Sequence, residues 1–358
     1  MLALRKLAAQ PGLALVDAPA PQDVSGTDVM IEVEAAGICG SDLHVAAWSA
    51  GYDFMVPLLP LTLGHEFSGR VAAIGPAVRS VAVGQRVAAW PSAPCGVCPA
   101  CKTGRPQNCA DKRTVGLYRD GAFAPRVVAR ESGVFPLPDT VDFEIAALIE
   151  PLCVGARAVS VGEVRQGDKV VVLGPGTIGQ AIAWFARLSG ALSVAVAGFR
   201  DGPRLDVARQ LGFSDTFDLA EAGEAERLAA RFGGADVVIE ATGHSSSIAD
   251  GMRLLRNEGT LVVTGIHAAP ANLDLLQVVR RRLQLRGSHG SRREDWARVI
   301  ETLRHRGDEV RPMITHRLPL DRALEGFELA RDRTASKVLI FPQAPLASAS
   351  PPLASKES

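Results

Sequence analysis

The sequence predicts an α/β protein in two parts: a β-rich, barrel-like unit and a doubly wound parallel sheet with helices on both faces. Three observations carry this. The chain has 358 residues, more than one hydrophobic core usually serves. Up to about residue 150, short apolar runs such as Val29-Met30-Ile31-Glu32-Val33-Glu34 and Gln85-Arg86-Val87-Ala88-Ala89 are punctuated by Gly and Pro, the mark of strands and turns. From Lys169 strand-like and helix-like segments alternate, as they do where crossover helices join parallel strands.

In order, the second part reads as a strand from Lys169 to Leu173, a Gly-rich turn and a helix to about Leu188. Strand Ser193 to Ala197 and helix Pro203 to Leu211 follow, then strand Asp236 to Glu240, helix Ser245 to Leu255 and strand Thr260 to Thr264. Past Gly287 the repetition stops. Trp296 to His305 reads as an amphipathic helix, and a last strand, Ser336 to Phe341, returns to the first unit with an edge open for assembly. The expected division is 1–155, 156–288 and a returning segment 289–343, with 344–358 a disordered Pro-, Ala- and Ser-rich tail.

The composition is that of a soluble globular chain, 47% apolar and 22% charged. Its 39 basic residues balance 39 acidic ones, which argues against nucleic acid or an anionic membrane as partner. Arg5 and Lys6 interrupt the first apolar run too early for a signal peptide, and Glu150, Pro151 and Arg157 break the longest one before it can span a bilayer. A cytoplasmic location follows, where the six cysteines are thiols or metal ligands sooner than disulfides.

Cys95, Cys98, Cys101 and Cys109 lie in one short Gly- and Pro-rich stretch. Four thiolates complete the tetrahedral shell of zinc, so this is a closed, structural site, with two local disulfides the alternative. Cys39, in Gly37-Ile38-Cys39-Gly40-Ser41-Asp42-Leu43-His44, joins His65 and Glu66, in Gly64-His65-Glu66-Phe67-Ser68-Gly69. One thiolate, one imidazole and one carboxylate leave a coordination position free for water or substrate. Taken singly, His65 reads as a structural histidine and Cys39 as a small core residue.

These strings, with the later Gly75, ALIEPLCVGARA and VVVLGPGTIGQ, stand in the order found in zinc-containing medium-chain alcohol dehydrogenases, which the chain resembles from about Met1 to Phe341. The resemblance implies a GroES-like catalytic domain and a Rossmann cofactor domain, one catalytic and one structural zinc, NAD or NADP, a small alcohol substrate, and a dimer or tetramer. It is closest to the polyol (sorbitol) and threonine dehydrogenase branch. There the catalytic zinc is held at the positions of Cys39, His65 and Glu66, and Glu150 stands where other members supply a second cysteine, so Glu66 and Glu150 can alternate on the metal. Cys153 is expected to pack as an apolar side chain. Ser41 and His44 match the family's proton relay. The implied reaction oxidises a secondary alcohol or polyol to a ketone. A β-hydroxy amino acid substrate is the alternative, and a zinc-independent quinone or enone reductase or a non-catalytic dinucleotide binder are the rivals.

Gly174-Pro175-Gly176-Thr177-Ile178-Gly179 follows a strand of valines and opens a helix, the setting of a dinucleotide fingerprint: a tight turn, close approach to pyrophosphate, and helix amides that bind it. Where NAD-linked relatives place Asp at the next strand end, this chain has Gly198, and Arg200 or Arg204 is placed to pair with a 2′-phosphate. NADP is favoured over NAD, against which Asp201 offers a carboxylate only a little further on. Ile266 and His267 are placed near the nicotinamide. Ser288 and His289 are possible substrate contacts, while Trp48, Tyr52 and Phe54 either line the pocket or fill loop core. Arg280-Arg281-Arg282 reads as solvated or as a helix cap, not a basic patch.

Overall fold

A computed structural model of the chain describes residues 1–343; the tail expected from 344 to 358 lies outside them. Its first sheet is built on Asp28–Gly37, an almost wholly buried strand. The spatial order is Ile314–Pro319, Lys337–Phe341, Asp28–Gly37, Glu66–Ile74, Arg86–Ala89 and Val134–Pro136. Asp28–Gly37 is long enough to be shared on one side. Its first half pairs with Arg126–Arg130, and its end, Ala36 and Gly37, with Ile340 and Leu339. A small sheet of Ala14–Asp17, Leu2–Lys6 and Leu61–Thr62 accompanies it, and Val29, Ile31, Val33, Phe67, Val87 and Phe123 belong to one core. The returning strand is therefore interior, flanked on both sides, and not the open edge expected for Ser336 to Phe341.

The second sheet is parallel throughout: Thr216–Asp218, Ser193–Gly198, Lys169–Leu173, Ala235–Glu240, Leu255–Val263 and Gln284–Gly287. Counted along the chain the order is third, second, first, fourth, fifth, sixth, which puts a topological switch point between the first and fourth strands. The valine run reflects burial on both faces. Val170, Val172, Val196 and Ile239 pack with helices Ile149–Gly162 and Thr177–Leu188. Val171, Ala195, Val238 and Leu261 pack with Leu228, Phe232, Ile248 and Met252 on the other side.

Some elements escape periodicity. Thr216–Asp218 is too short to show a period, and helix Glu224–Phe232 buries only Leu228 and Phe232. Strand Leu255–Val263 begins before the expected Thr260, and helix Arg293–Arg306 before Trp296. The expected boundary at 155/156 falls inside the continuous helix Ile149–Gly162, which packs so closely on Thr177–Leu188 that a Cβ on Gly155 would come within 2.6 Å of the Ala181 Cβ. At the edge strand Gln284–Gly287, Leu285 is exposed, and neighbouring helix Leu275–Arg281 buries none of its residues. Arg281 bonds the carbonyls of Met252 and Leu255, where helix Ser245–Leu254 ends. Among the described residues no helix is long and apolar enough to cross a membrane.

Candidate active site

Strand Asp28–Gly37 delivers Cys39 to the start of helix Gly40–Ala47, where Asp42 accepts the Cys39 N–H at 2.9 Å. The neighbouring strand Glu66–Ile74 opens with His65 just before it and Glu66 opposite Gly37. Register alone thus brings the two motifs together. One ligand atom each from Cys39, His65 and Glu66 lies within 4.8 Å of the others, and His65 and Glu66 are buried. A Cβ on Gly37 would fall 2.3 Å from Glu66 Oε2, so any other residue there would displace the carboxylate.

The surroundings fit a cation. Glu66 Oε1 is buried without a partner, while Oε2 accepts from Lys337, a fully buried lysine that also donates to the Ile38 carbonyl. Asp42, fully buried, lies 3.5 Å from His65 Nδ1, the carboxylate-to-imidazole arrangement that orients a metal-binding histidine. Burial pushes the His65 imidazole down, but Asp42 and Cys39 outweigh it and hold it well above the ordinary value. Sequence reasoning missed both partners. Asp42 stands in the quoted motif without a signal of its own; Lys337 carried one, a lone cation in an apolar strand.

Ser41 Oγ lies 3.3 Å from His65 Nε2, whereas His44 Nδ1 faces Ser49 Oγ at 3.4 Å and its ring stacks on Tyr52. The two relay candidates share a helix but do not bond each other. Tyr52 is buried, its hydroxyl pushed up to about 12 first by burial and then by Cys39 and Asp42. Phe54 is partly exposed and stacks on Tyr118, and Trp48 packs under the Lys6 ammonium. Glu150 lies outside the three-ligand cluster yet close enough to feel its charges. With His289 and Trp90 it lines a cleft of about 1020 Å³; Ser288 is buried. Cys153 is fully buried in the core, and burial holds its thiol well up.

All six cysteines are free. Cys98 Sγ is 3.5 Å from Cys101 Sγ and 3.9 Å from Cys109 Sγ, far too long for a disulfide at about 2.0 Å. Separations of this size fit thiolates sharing a tetrahedral zinc, about 3.8 Å for Zn–S bonds of about 2.3 Å, and the four sulfurs gather within 4.8 Å. Amides point at the sulfurs, Cys95 N to Cys109 and Cys98 N to Cys95, and the amides of Cys101 and Ala110 bring the Cys98 thiol down to about 6.

In the second sheet Gly174, at φ 107°, turns the chain from strand Lys169–Leu173 into helix Thr177–Leu188, whose first amides have no side-chain cap. A Cβ on Gly179 would fall 1.7 Å from the Gly174 carbonyl oxygen, but one on Gly176 would meet nothing within 4 Å, leaving that side free for a phosphate. Pro175 accepts from Gln180, Thr177 donates to Ser336 O, and Ile178 packs half-buried on the core. At the next strand end a Cβ on Gly198 would fall 2.8 Å from the Pro175 ring, so a carboxylate cannot stand there. Arg200, at φ 53°, is exposed beside Phe199. Arg204 departs from the expectation: its Nε and Nη2 donate to Ala335 O and Ala330 O and Nη1 faces Asp201, so its guanidinium is anchored to the returning segment and to Asp201 and not held free for a phosphate. Arg333, from the returning segment and without a sequence signal, takes its place near Arg200: it is exposed, at φ 60°, and donates to Phe199 O. Asp201 is buried and faces Arg204 and Arg333. Ile266 is exposed on the turn after strand Leu255–Val263.

Comparison with known proteins agrees with this geometry. Residues 25–139 match the alcohol dehydrogenase GroES-like domain and residues 177–305 the zinc-binding dehydrogenase domain. The chain is 35% identical over 343 residues to the L-threonine 3-dehydrogenase of Rhizobium etli, covering 95% of this chain and 98% of that one. A zinc-binding dehydrogenase from Sinorhizobium meliloti 1021, solved with NADP, superposes with TM-score 0.82 at 30% identity over 95% of this chain and 99% of the other. The 2R,3R-butanediol dehydrogenase of Bacillus subtilis gives 0.84 at 27% identity, over 96% and 99%. With two domain models in order and full-length relatives, the chain belongs to the zinc-containing medium-chain alcohol dehydrogenases. It is accordingly an NAD(P)-dependent dehydrogenase that uses zinc.

Proposed function

We propose that the protein oxidises a secondary alcohol or polyol, reversibly, to the ketone, with Cys39, His65 and Glu66 as the catalytic zinc ligands. The observation that carries this is the gathering of those three ligand atoms within 4.8 Å. Zinc held by these residues would supply a Lewis acid for the alcohol oxygen, and a bound nicotinamide would supply the hydride acceptor. The chain's own groups do the rest. Ser41 would accept the hydroxyl proton while releasing its own, and His44, half-buried beside Ser49 and not bonded to Ser41, would pass that proton to solvent once a bridging hydroxyl or water links the two. Asp42 orients His65, Lys337 offsets the charge of Glu66, and Glu150 and His289 face the substrate or, for Glu150, exchange with Glu66 on the metal. The Cys95, Cys98, Cys101 and Cys109 zinc is structural.

The turn of Gly174 to Gly179 holds the pyrophosphate. NADP is preferred, supported by the blocked position at Gly198 and the exposed Arg200 and Arg333. A β-hydroxy amino acid is the second reading, favoured by the threonine dehydrogenase relative. The free thiols suit the cytoplasm, and the edge strand Gln284–Gly287, with Leu285 exposed as are Leu275 and Leu276 of helix Leu275–Arg281, suits a homo-oligomer.

Secondary alcohols, polyols and β-hydroxy amino acids assayed with NAD and NADP, by reduced-nicotinamide absorbance, test the reading. Turnover should fall at least about 1000-fold in His65→Ala with the fold retained by circular dichroism. Undiminished activity in that variant, or after chelation, would favour a zinc-independent reductase; tight coenzyme binding without turnover would favour a non-catalytic binder.

A further inference from the structure

Glu240 ends strand Ala235–Glu240 as a fully buried carboxylate. Its Oε1 accepts from Thr242 N at 2.6 Å, Thr242 Oγ1 at 2.5 Å, Gly243 N at 2.9 Å and Ser247 Oγ at 3.0 Å. Its Oε2 lies 2.9 Å from His267 Nε2. Burial pushes the carboxyl up, but these donors outweigh it and hold it below the ordinary value. An ionised carboxylate only accepts, so Nε2 turns a proton toward it, and in the neutral ring Nδ1 then presents a lone pair. That Nδ1 is buried and has no partner.

The pair is rigidly placed. A Cβ on Gly265 would fall 2.2 Å from Gly243 N and 2.8 Å from Glu240 Oε2, and one on Gly174 would fall 2.9 Å from the Ala241 carbonyl carbon. The turn holding Glu240, the turn holding His267 and the dinucleotide loop are therefore one packed unit. It sits at the carboxyl ends of the fourth and fifth strands. The adenosine end of the coenzyme is directed toward the second strand, at Gly198, so its other half crosses the switch point toward Glu240 and His267.

We propose that His267, fixed in its tautomer by Glu240, binds the nicotinamide ring by accepting a carboxamide N–H at Nδ1. Nothing about hydride transfer is asked of it; it selects and orients the ring. The inference rests on the dinucleotide reading above, and ADP-ribose separates the two.

Affinities of NADPH or NADH, of the corresponding 3-acetylpyridine dinucleotide, whose acetyl group has no N–H, and of ADP-ribose and its 2′-phosphate are measured by calorimetry. The wild type should bind the acetylpyridine analogue about tenfold more weakly, the share of one hydrogen bond. In His267→Ala the natural coenzyme should fall to the analogue's level while ADP-ribose is unchanged. Should that variant lose ADP-ribose as well, Glu240→Gln decides. Its amide donates to His267 Nε2, moves the ring proton to Nδ1, and should abolish the discrimination at constant volume. Discrimination that persists in Glu240→Gln, or is absent from the wild type, overturns the proposal; a wild type that binds neither ADP-ribose nor its 2′-phosphate overturns the dinucleotide reading instead.

Discussion

Glu150 shows how a single carboxyl reports its surroundings. Burial lifts it to about 7, Glu66 adds to the rise, and His65 and Lys337 oppose it. A folded value above the unfolded one means that the folded chain binds the proton more tightly. Its stabilising contribution is then full below the ordinary carboxyl range and lost as pH rises through about 7. Glutamine cannot ionise. Metal-free Glu150→Gln protein should therefore gain stability over metal-free wild type as pH rises from about 5 to about 8, read from urea midpoints; a constant difference would place the carboxyl in water. Arg200 and Arg333 make the second prediction at this scale. Replacing both by alanine should weaken NADPH about 100-fold and NADH less than about threefold, one charge-assisted pair each. Equal losses would make the two arginines structural. Residue chemistry was legible where a motif names its own ligands, as at Cys39, His65 and the four lobe cysteines. Arg204 was misread because its guanidinium is spent on carbonyls of a segment more than a hundred residues away.

At the scale of elements, the cysteine lobe stands apart. Helix Pro99–Lys102 buries none of its residues, and of the four cysteines only Cys109 is buried, so the lobe has no apolar core and depends on its metal for shape. Cys98→Ser should lower bound zinc from about two to about one per chain and open the lobe to protease while the Cys39 site stays loaded. Retention of both metals would overturn the assignment. The parallel strands were readable because burial on both faces leaves continuous valine runs. Thr216–Asp218 and Glu224–Phe232 were not, since three residues show no period and two buried side chains make no stripe.

Across the whole molecule, sequence order and spatial order part company. Alternating strands and helices identify a parallel sheet but do not say that its first strand lies in the middle, nor that the returning strand lies inside the first sheet and leaves Gln284–Gly287 as an edge of the second. Helix Ile149–Gly162 shows the same limit: a boundary drawn where composition changes falls within one rigid rod that touches both halves.

The pairing of Lys337 with Glu66 spans 271 positions. On a ribosome, Cys39, His65 and Glu66 emerge long before the lysine that compensates their charge, and the strand bearing it can dock only after nearly all the chain has been made. Until then the metal centre carries an unbalanced carboxylate in an incomplete sheet. Completion of the centre therefore waits on synthesis of its last strand: a nascent chain stalled short of that point presents Cys39, His65 and Glu66 without the buried lysine that pairs with the carboxylate.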